Sequence, residues 1–471
     1  MSNEKLPLRS KLAYGGLGAG IGLPSQITYA TITFFYNTIL GLNAELIGIS
    51  WLIFSVWNAL NDPLFGFIED HTKSEKYGRR IPYIRFGAPI YGIVFILCWI
   101  PFVDVNNQIA LFFNLTVVLF VFDTLFTILG LINFTLPAEM AMTAKERANL
   151  LIYGSVISSI SYLISFVLPL VLLTGHESPN FALFLIAMIL VGIISAIILY
   201  MSSFYLKENK YTQMEETLPI IKGIKETFKN TPFLIFEAAN FSFTIAQTIL
   251  TTAIFYYVEY VLILTGILST IPLLLVFVMI FVFLIVFNKL IGKYGVKNTF
   301  ILANLWTGVS FLLTFFIGWN LSLALIGFIL IGIGLSGYLL TNQVVIADIV
   351  DYDETRTGKR RETTYSGINA LITKPAISIA NWLFLTIIAS YGFDASKQTQ
   401  DFFTQFGIMM GFLYTPSLFL IIGAILMFSY PLDGPQWLKQ KAEIIKIHEK
   451  KEIEYLKYIE EKNLNERSHV I

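Results

Sequence analysis

Twelve times along this chain the side chains turn apolar for twenty residues or more and then break into a polar turn. The runs lie near 12–40, 45–69, 81–102, 108–136, 148–174, 180–206, 232–262, 266–288, 298–318, 321–349, 363–391 and 404–430. A helix rises about 1.5 Å per residue and a bilayer's hydrocarbon core is ~30 Å thick, so about twenty apolar residues make one crossing. In hydrocarbon each backbone N–H and C=O must be satisfied inside its own segment, which leaves helices as the reading for runs this long. The chain is 55% hydrophobic and 14% charged, where a soluble domain carries about 25% charged residues. An all-α polytopic membrane protein with twelve transmembrane helices is expected.

Several function classes fall away. Cys98 is the only cysteine, so there is no disulfide framework. The four histidines form no metal-ligating constellation, no Walker-type phosphate loop is present, and no nucleophile–base pair is visible. No catalytic residue, metal or cofactor is expected beyond a coupling ion, and nothing points to nucleic acid. Lys5, Arg9 and Lys11 precede the first run, but the run is too long and lacks a small-residue cleavage site, so it reads as the first crossing.

Basic residues set the orientation. Lys73, Lys76, Arg79 and Arg80 follow helix 2, Lys145 and Arg147 follow helix 4, and Lys207, Lys210, Lys222, Lys225 and Lys229 follow helix 6. Lys289, Lys293 and Lys297 follow helix 8, and Arg356, Lys359, Arg360 and Arg361 follow helix 10; the alternate loops hold little that is basic except Lys397. The positive-inside rule then makes both termini cytoplasmic, in a cell membrane. The longest linker divides the helices six and six: 1–206 is an N-terminal bundle, 207–231 a cytoplasmic linker, 232–430 a C-terminal bundle and 431–471 a charged cytoplasmic tail. Lys76-Tyr77-Gly78-Arg79-Arg80 after helix 2 is echoed by Lys293-Tyr294-Gly295-Val296-Lys297 after helix 8. Matched basic turns in two six-helix halves are the mark of a parallel repeat, the arrangement of major facilitator transporters. The tail, rich in Lys and Glu with Ile444, Ile447, Leu456 and Ile459 interspersed, reads either as an amphipathic helix or as a solvated extension under the bundle.

Charges inside the apolar runs are the candidate machinery. Asp62 lies within helix 2, where an ionised carboxylate costs roughly 3 kcal/mol even on lenient insertion scales. It binds a proton, coordinates Na+ with neutral oxygens nearby, or hydrogen-bonds a neighbouring helix. Asn58, one turn earlier on the same face, offers an amide oxygen, whereas Asn61 lies about 100° around the helix. Lys374, deep in helix 11, needs a carboxylate, a carbonyl or water, and is expected either to face Asp62 across the gap between the halves or to snorkel to the cytoplasmic end. Asp123 sits near the middle of helix 4 as a substrate anchor, a second proton site or a packed polar contact. Asn133, ten residues on, falls near the same face, since ten residues turn about 1000°. Glu237, Asn240 and Gln247 give helix 7 a polar face. Glu237 reads as solvated at the cytoplasmic end and Glu259 as a gate or rim residue at the outer one. Tyr29, Trp57 and Tyr365 are aromatics able to stack on a sugar ring, or simply to pack.

Two blocks carry a family resemblance. Trp57-Asn58-Ala59-Leu60-Asn61-Asp62-Pro63, with Gly66, Asp70, Gly78-Arg79-Arg80 and Pro82, resembles the helix 2 signature of the glycoside–pentoside–hexuronide:cation symporters, the melibiose permease family of the major facilitator superfamily. Ala347-Asp348-Ile349-Val350-Asp351-Tyr352, Thr357-Gly358-Lys359-Arg360-Arg361-Glu362, Tyr365-Ser366-Gly367 and Lys374 resemble its loop 10–11 and helix 11. The resemblance implies a cation site on helix 2, here Asp62 with Asn58 where the family has a second acid. It also implies that Lys374 connects the cation and substrate sites. It places Asp70, Arg79 and Arg80 in a surface latch that closes in one conformation and parts in the other. At the positions of the family's sugar-binding acids this chain has Gly22 and, counting back from Pro137, Leu129.

These readings converge on a secondary transporter working by alternating access. A symport scheme couples a sugar or glycoside to Na+ or H+ in a monomer seated in the lipid bilayer. A related carrier of lysophosphatidylcholine keeps an amphiphile carrier open as the alternative, and the loss of one acid at Asn58 keeps open a sensor without coupling. Candidate substrate contacts are Asp123, Tyr29, Trp57, Asn133 and Tyr365.

Overall fold

The structure is a computed structural model that describes residues 6–72, 78, 80–141, 144–175, 181–208, 226–357 and 361–444. The first half holds α1 (Leu8–Phe34), α2 (Ala44–His71), α3 (Ile81–Leu97), α4 (Gln108–Met140), α5 (Ala144–Leu173) and α6 (Phe181–Ser202). The second opens with α7 (Thr231–Tyr256). The run Ile271–Ile317 follows, in which Gly295 leaves helical geometry at φ 79° and ψ 168°. That glycine makes the run two helices, α8 before it and α9 after it, because a left-handed turn is open to Gly at little cost. α10 (Leu321–Thr357), α11 (Glu362–Ser390) and α12 (Phe402–Met409, continuing through Met410–Tyr414 into Thr415–Met427) complete the bundle. Among the described residues eight spans are long and apolar enough to cross a membrane, the α8–α9 pair counting as one.

Why these runs pack as they do is clearest in α6, which is apolar on every side. Ile186, Leu190, Ile193 and Ile197 are exposed, while Phe184, Met188 and Leu199 are buried. A helix hydrophobic all round belongs in a membrane, one face to lipid and one to protein. Small residues set its approach to α3: a methyl group on Gly92 would lie 2.6 Å from the carbonyl oxygen of Gly192. Side chains cap the starts, as where Asn107 accepts from the N–H groups of Ile109 and Ala110 at 3.1 Å ahead of α4.

Within the first half α1 packs on α5 and α6, α3 on α6 and α2 on α4; within the second α7 packs on α11 and α12. Across the halves α2 meets α11, α1 meets α7, and α5 meets the turn Gly266–Thr270 ahead of α8. The repeat is visible in backbone detail. α1 ends in a π-helical turn, Phe35–Ile39, and α7 ends in another, Tyr257–Val261, 222 residues later. Leu40 and Leu42 N–H groups bond back to Phe35 and Tyr36, as Leu262 and Leu264 do to Tyr257 and Val258. Between each pair sits a residue with positive φ, Gly41 in the first half and Ile263 in the second.

Hydrogen bonds joining the halves gather at the end of the bundle away from the basic loops. Tyr256 OH donates to Asn37 Oδ1 at 3.0 Å, Thr33 Oγ1 to Asn381 Oδ1 at 3.0 Å, and Gly175 N–H to Glu259 Oε2 at 2.7 Å. Phe34 meets Tyr256 edge-on there, with ring centroids 5.1 Å apart. Glu259 is therefore part of a seal between the halves.

At the basic end buried charges tie each half to itself. Arg80 pairs with Glu139 and lies 4.0 Å from Glu69, and Glu208 accepts from the Arg80 and Ile81 N–H groups. In the second half Arg361 holds Asp353 through contacts of 2.7 and 2.8 Å. Of the expected latch, Arg79 and the side chain of Asp70 lie outside the described residues, as does most of 207–231. Beyond α12 a short helix spans 434–444. Along this stretch the tail is docked: Trp437 and Ile444 are buried, and Lys441 Nζ lies 2.5 Å from Asp348 Oδ1 on α10, while the rest of the tail, with Ile447, Leu456 and Ile459, lies outside the described residues. Asp348 thus binds the tail.

Candidate functional site

The deepest contact between the halves is built on charge. Lys374 of α11 uses all three ammonium protons on first-half groups: Asp62 Oδ1 at 2.5 Å, Asn61 Oδ1 at 3.1 Å and Thr127 Oγ1 at 3.3 Å. Asn61 Nδ2 donates to Thr127 Oγ1 at 2.9 Å and to Asp123 Oδ2, and Tyr29 OH donates to Asp123 Oδ1 at 2.6 Å. Residues from α1, α2, α4 and α11 thus share one network. Asn61 and Asp123 are fully enclosed, while Asp62 and Lys374 keep 18% and 16% of their side chains exposed. The network holds two carboxyl groups and one ammonium: Lys374 bonds Asp62 directly and reaches Asp123 through Asn61.

Helix 2 gives its candidate ligands different surroundings. Asp62 and Asn61 enter the network; Asn58, one turn earlier, is buried and its Oδ1 has no hydrogen-bond partner. A buried amide oxygen left without a donor is rare, and marks a place where a partner is to be supplied.

Open space lies on the basic-end side of the network. Gly22 precedes Tyr29 by seven residues, Gly367 precedes Lys374 by seven, and Gly130 follows Asp123 by seven. Each is about 10 Å along its helix from the network residue, on the same face. A side chain built at any of the three would meet nothing within 4 Å. α1 and α11 run away from the basic end and α4 runs toward it, so all three glycines lie on the basic-end side of the network, each with space beside its helix. Leu129, the residue expected to replace a sugar-binding acid, is buried and faces Gly87 of α3 instead.

The remaining substrate candidates do not converge on one place. Trp57 stacks on Phe120 and donates to Thr124 Oγ1 at 3.2 Å, between α2 and α4. Asn133 lies beside Gly18, some two to three turns past Asp123, with its Oδ1 buried and unpartnered. Tyr365 accepts from Asn230 Nδ2 at 2.7 Å and packs on Phe233 in the second half. Glu237 is not solvated: it is 2% exposed, enclosed by α7, α10 and α11. Sequence reasoning passed over Asn61 and Thr127 as site residues. Their only signal was polarity within apolar runs on helices 2 and 4.

Comparison with known proteins decides the family. The profile described as "MFS/sugar transport protein" matches residues 13–434, nearly the whole chain. The chain belongs to the MFS/sugar transport protein family. Its relatives within the family include the inner membrane symporter YicJ of Escherichia coli, 24% identical over 91% of this chain and 93% of the relative. The isoprimeverose transporter of Lactiplantibacillus pentosus is 23% identical, covering 91% and 89%. Among solved structures, a D-xylose–proton symporter superposes with a TM-score of 0.63 at 12% identity over 90% of this chain and 96% of its own, a likeness of fold. As a member of this family the protein is a multi-pass membrane secondary active transporter and not an enzyme, moving a small-molecule substrate with a coupling cation. Neither the amphiphile carrier nor the sensor is favoured by these relatives.

Proposed function

We propose that this transporter is a sugar or glycoside symporter coupled to Na+, working as a monomer in the cell membrane with both termini cytoplasmic. The observation that carries the reading is the network around Lys374, in which the ammonium bonds Asp62 and is linked through Asn61 to a second carboxyl, Asp123, so that with both acids ionised one negative charge is left over. One further monovalent cation balances it. Asn58 Oδ1, buried and unpartnered one turn from Asp62, favours Na+ over H+, because a neutral oxygen is a ligand for a hard metal cation and holds no proton of its own. The relatives' names, an isoprimeverose transporter among them, support a sugar-like cargo.

In this account Lys374 stands in for the cation while the site is empty of it. Na+ arriving at Asp62 and Asn58 displaces the ammonium, loosening the grip of α11 on α2. The opening beside Gly22, Gly130 and Gly367 receives the cargo, with Asp123 and Tyr29 at its inner wall. With the opposite end sealed by the Asn37, Asn381 and Glu259 contacts, the conformation faces the cytoplasm. Thermal stabilisation of the purified protein by glycosides, pentosides, hexuronides and lysophospholipids, each with and without Na+ at two pH values, tests the class. A sugar that stabilises more strongly with Na+ is the expected result; stabilisation by lysophospholipid alone, or a sugar response that depends only on pH, would overturn it.

A further inference from the structure

A second buried carboxylate lies apart from the Lys374 network. Glu237 sits two turns into α7, in a membrane-spanning segment, and is 2% exposed. Beside it is a cavity of about 20 Å³ bordered by Phe233, Ile346, Ile349, Tyr365 and Asn369, room for roughly one water molecule.

The surrounding hydrogen bonds have room for a protonated carboxyl. Tyr338 OH of α10 donates to Asn240 Oδ1 at 2.5 Å, which turns the Asn240 amide nitrogen toward α11. That nitrogen donates to Asn369 Oδ1 at 2.8 Å. The same Asn369 position lies 3.1 and 3.2 Å from the two Glu237 oxygens. An ionised Glu237 would therefore set a carboxylate against an amide oxygen, acceptor against acceptor. Turning Asn369 over lets its NH2 donate to Glu237, but Asn240 must then turn as well and donate to the Tyr338 oxygen, which takes away the one acceptor of the Tyr338 O–H among the described residues. A proton on Glu237 keeps the Tyr338–Asn240–Asn369 chain as it stands, since its O–H then donates to Asn369 Oδ1.

Among the described residues no ion pair to Glu237 is formed. α7 carries no Lys or Arg beyond Lys229 before its start, α12 has no charged side chain, and α10 and α11 present Tyr338 and Tyr365. Arg361 lies 5.6 Å from the centroid of the Tyr365 ring and is held by Asp353. On α1, Lys11 is paired with Glu146 at 3.0 Å.

We propose that Glu237, with Asn369 and Asn240, is a proton-binding site of the C-terminal half, occupied in this conformation. The site joins α7 to α11, the helix that also carries Lys374 five residues beyond Asn369. Parting of α7 from α11 admits water and releases the proton, so proton occupancy favours the conformation seen here.

The test is pH-resolved infrared difference spectroscopy of the full-length protein in liposomes, wild type against Glu237→Gln, with substrate exchange followed over the same pH range. The expected result is a protonated-carboxyl stretch at neutral pH that Glu237→Gln removes, together with loss of one titrating step from the exchange profile. A wild-type spectrum without that band, or a band unchanged in Glu237→Gln, would overturn the proposal. So would failure of Glu237→Gln to fold, because the amide matches a protonated carboxyl in size and donates to Asn369 in the same way. Loss of the band in Asp62→Asn instead would assign the proton to the Lys374 network and equally overturn it.

Discussion

Lys374 and Asp62 form a contact whose worth follows from its surroundings. Fully buried pairs lose about 3–5 kcal/mol when one partner is removed, exposed ones about 0–1 kcal/mol. With side chains 16% and 18% exposed, this pair falls between, at about 1–3 kcal/mol. A double-mutant cycle of Asp62→Asn and Lys374→Met, read by thermal unfolding in detergent without Na+, is expected to show a coupling of about 1–2 kcal/mol, the double variant being less destabilised than the sum of the singles. Strict additivity would mean that the contact stores no coupling. The placement of these two residues was legible in the sequence because a charge inside an apolar run demands a partner. Asn61 and Thr127 were not, because a neutral polar residue in a membrane helix is common and periodicity does not say which face a neighbour will cover. Spacing favoured Asn58, whereas α4 and α11 converge on the Asn61 side. Glu237 was misplaced for a related reason. Its distance from the helix start suggested solvent, and only the arrival of Tyr338 and Asn369 from other helices buries it.

Among the elements, small residues divide into those that let helices touch and those that leave room for cargo. Gly92 and Gly192 allow α3 and α6 to cross backbone to backbone, whereas Gly22 borders empty space. Gly92→Ala is expected to destabilise by about 1–3 kcal/mol, the usual consequence of overpacking, and to do so without selectively changing substrate affinity. Gly22→Ala should leave unfolding temperature close to wild type, while Gly22→Leu weakens substrate binding by filling the opening. Unfolding and ligand titration of the three variants check this; equal destabilisation by Gly22→Ala and Gly92→Ala would contradict the placement of the opening. Twelve crossings were legible from length alone. The π-helical ends of α1 and α7 were not, since a one-residue slip in hydrogen bonding leaves no trace in composition. The equivalence of Gly41 and Ile263 shows how little the repeat preserves side chains while preserving backbone.

For the whole molecule, the distribution of contacts implies a working cycle. The halves are bonded at the end away from the basic loops and at Lys374, and the three open glycines lie toward the basic end. A transporter in this state exchanges cargo with the side carrying those loops, and it must break the Asn37, Asn381 and Glu259 contacts to open the other way. The docked helix 434–444 belongs to the C-terminal half through Asp348, so it moves with that half. Coupling in this picture resides in competition between Na+ and Lys374 for Asp62. The most direct test is uptake of a stabilising sugar into proteoliposomes under an imposed Na+ gradient, with exchange at equal concentrations as the control. Wild type should accumulate the sugar uphill, and Asp62→Asn should lose accumulation while retaining exchange. Uphill accumulation by Asp62→Asn equal to that of wild type would contradict the account.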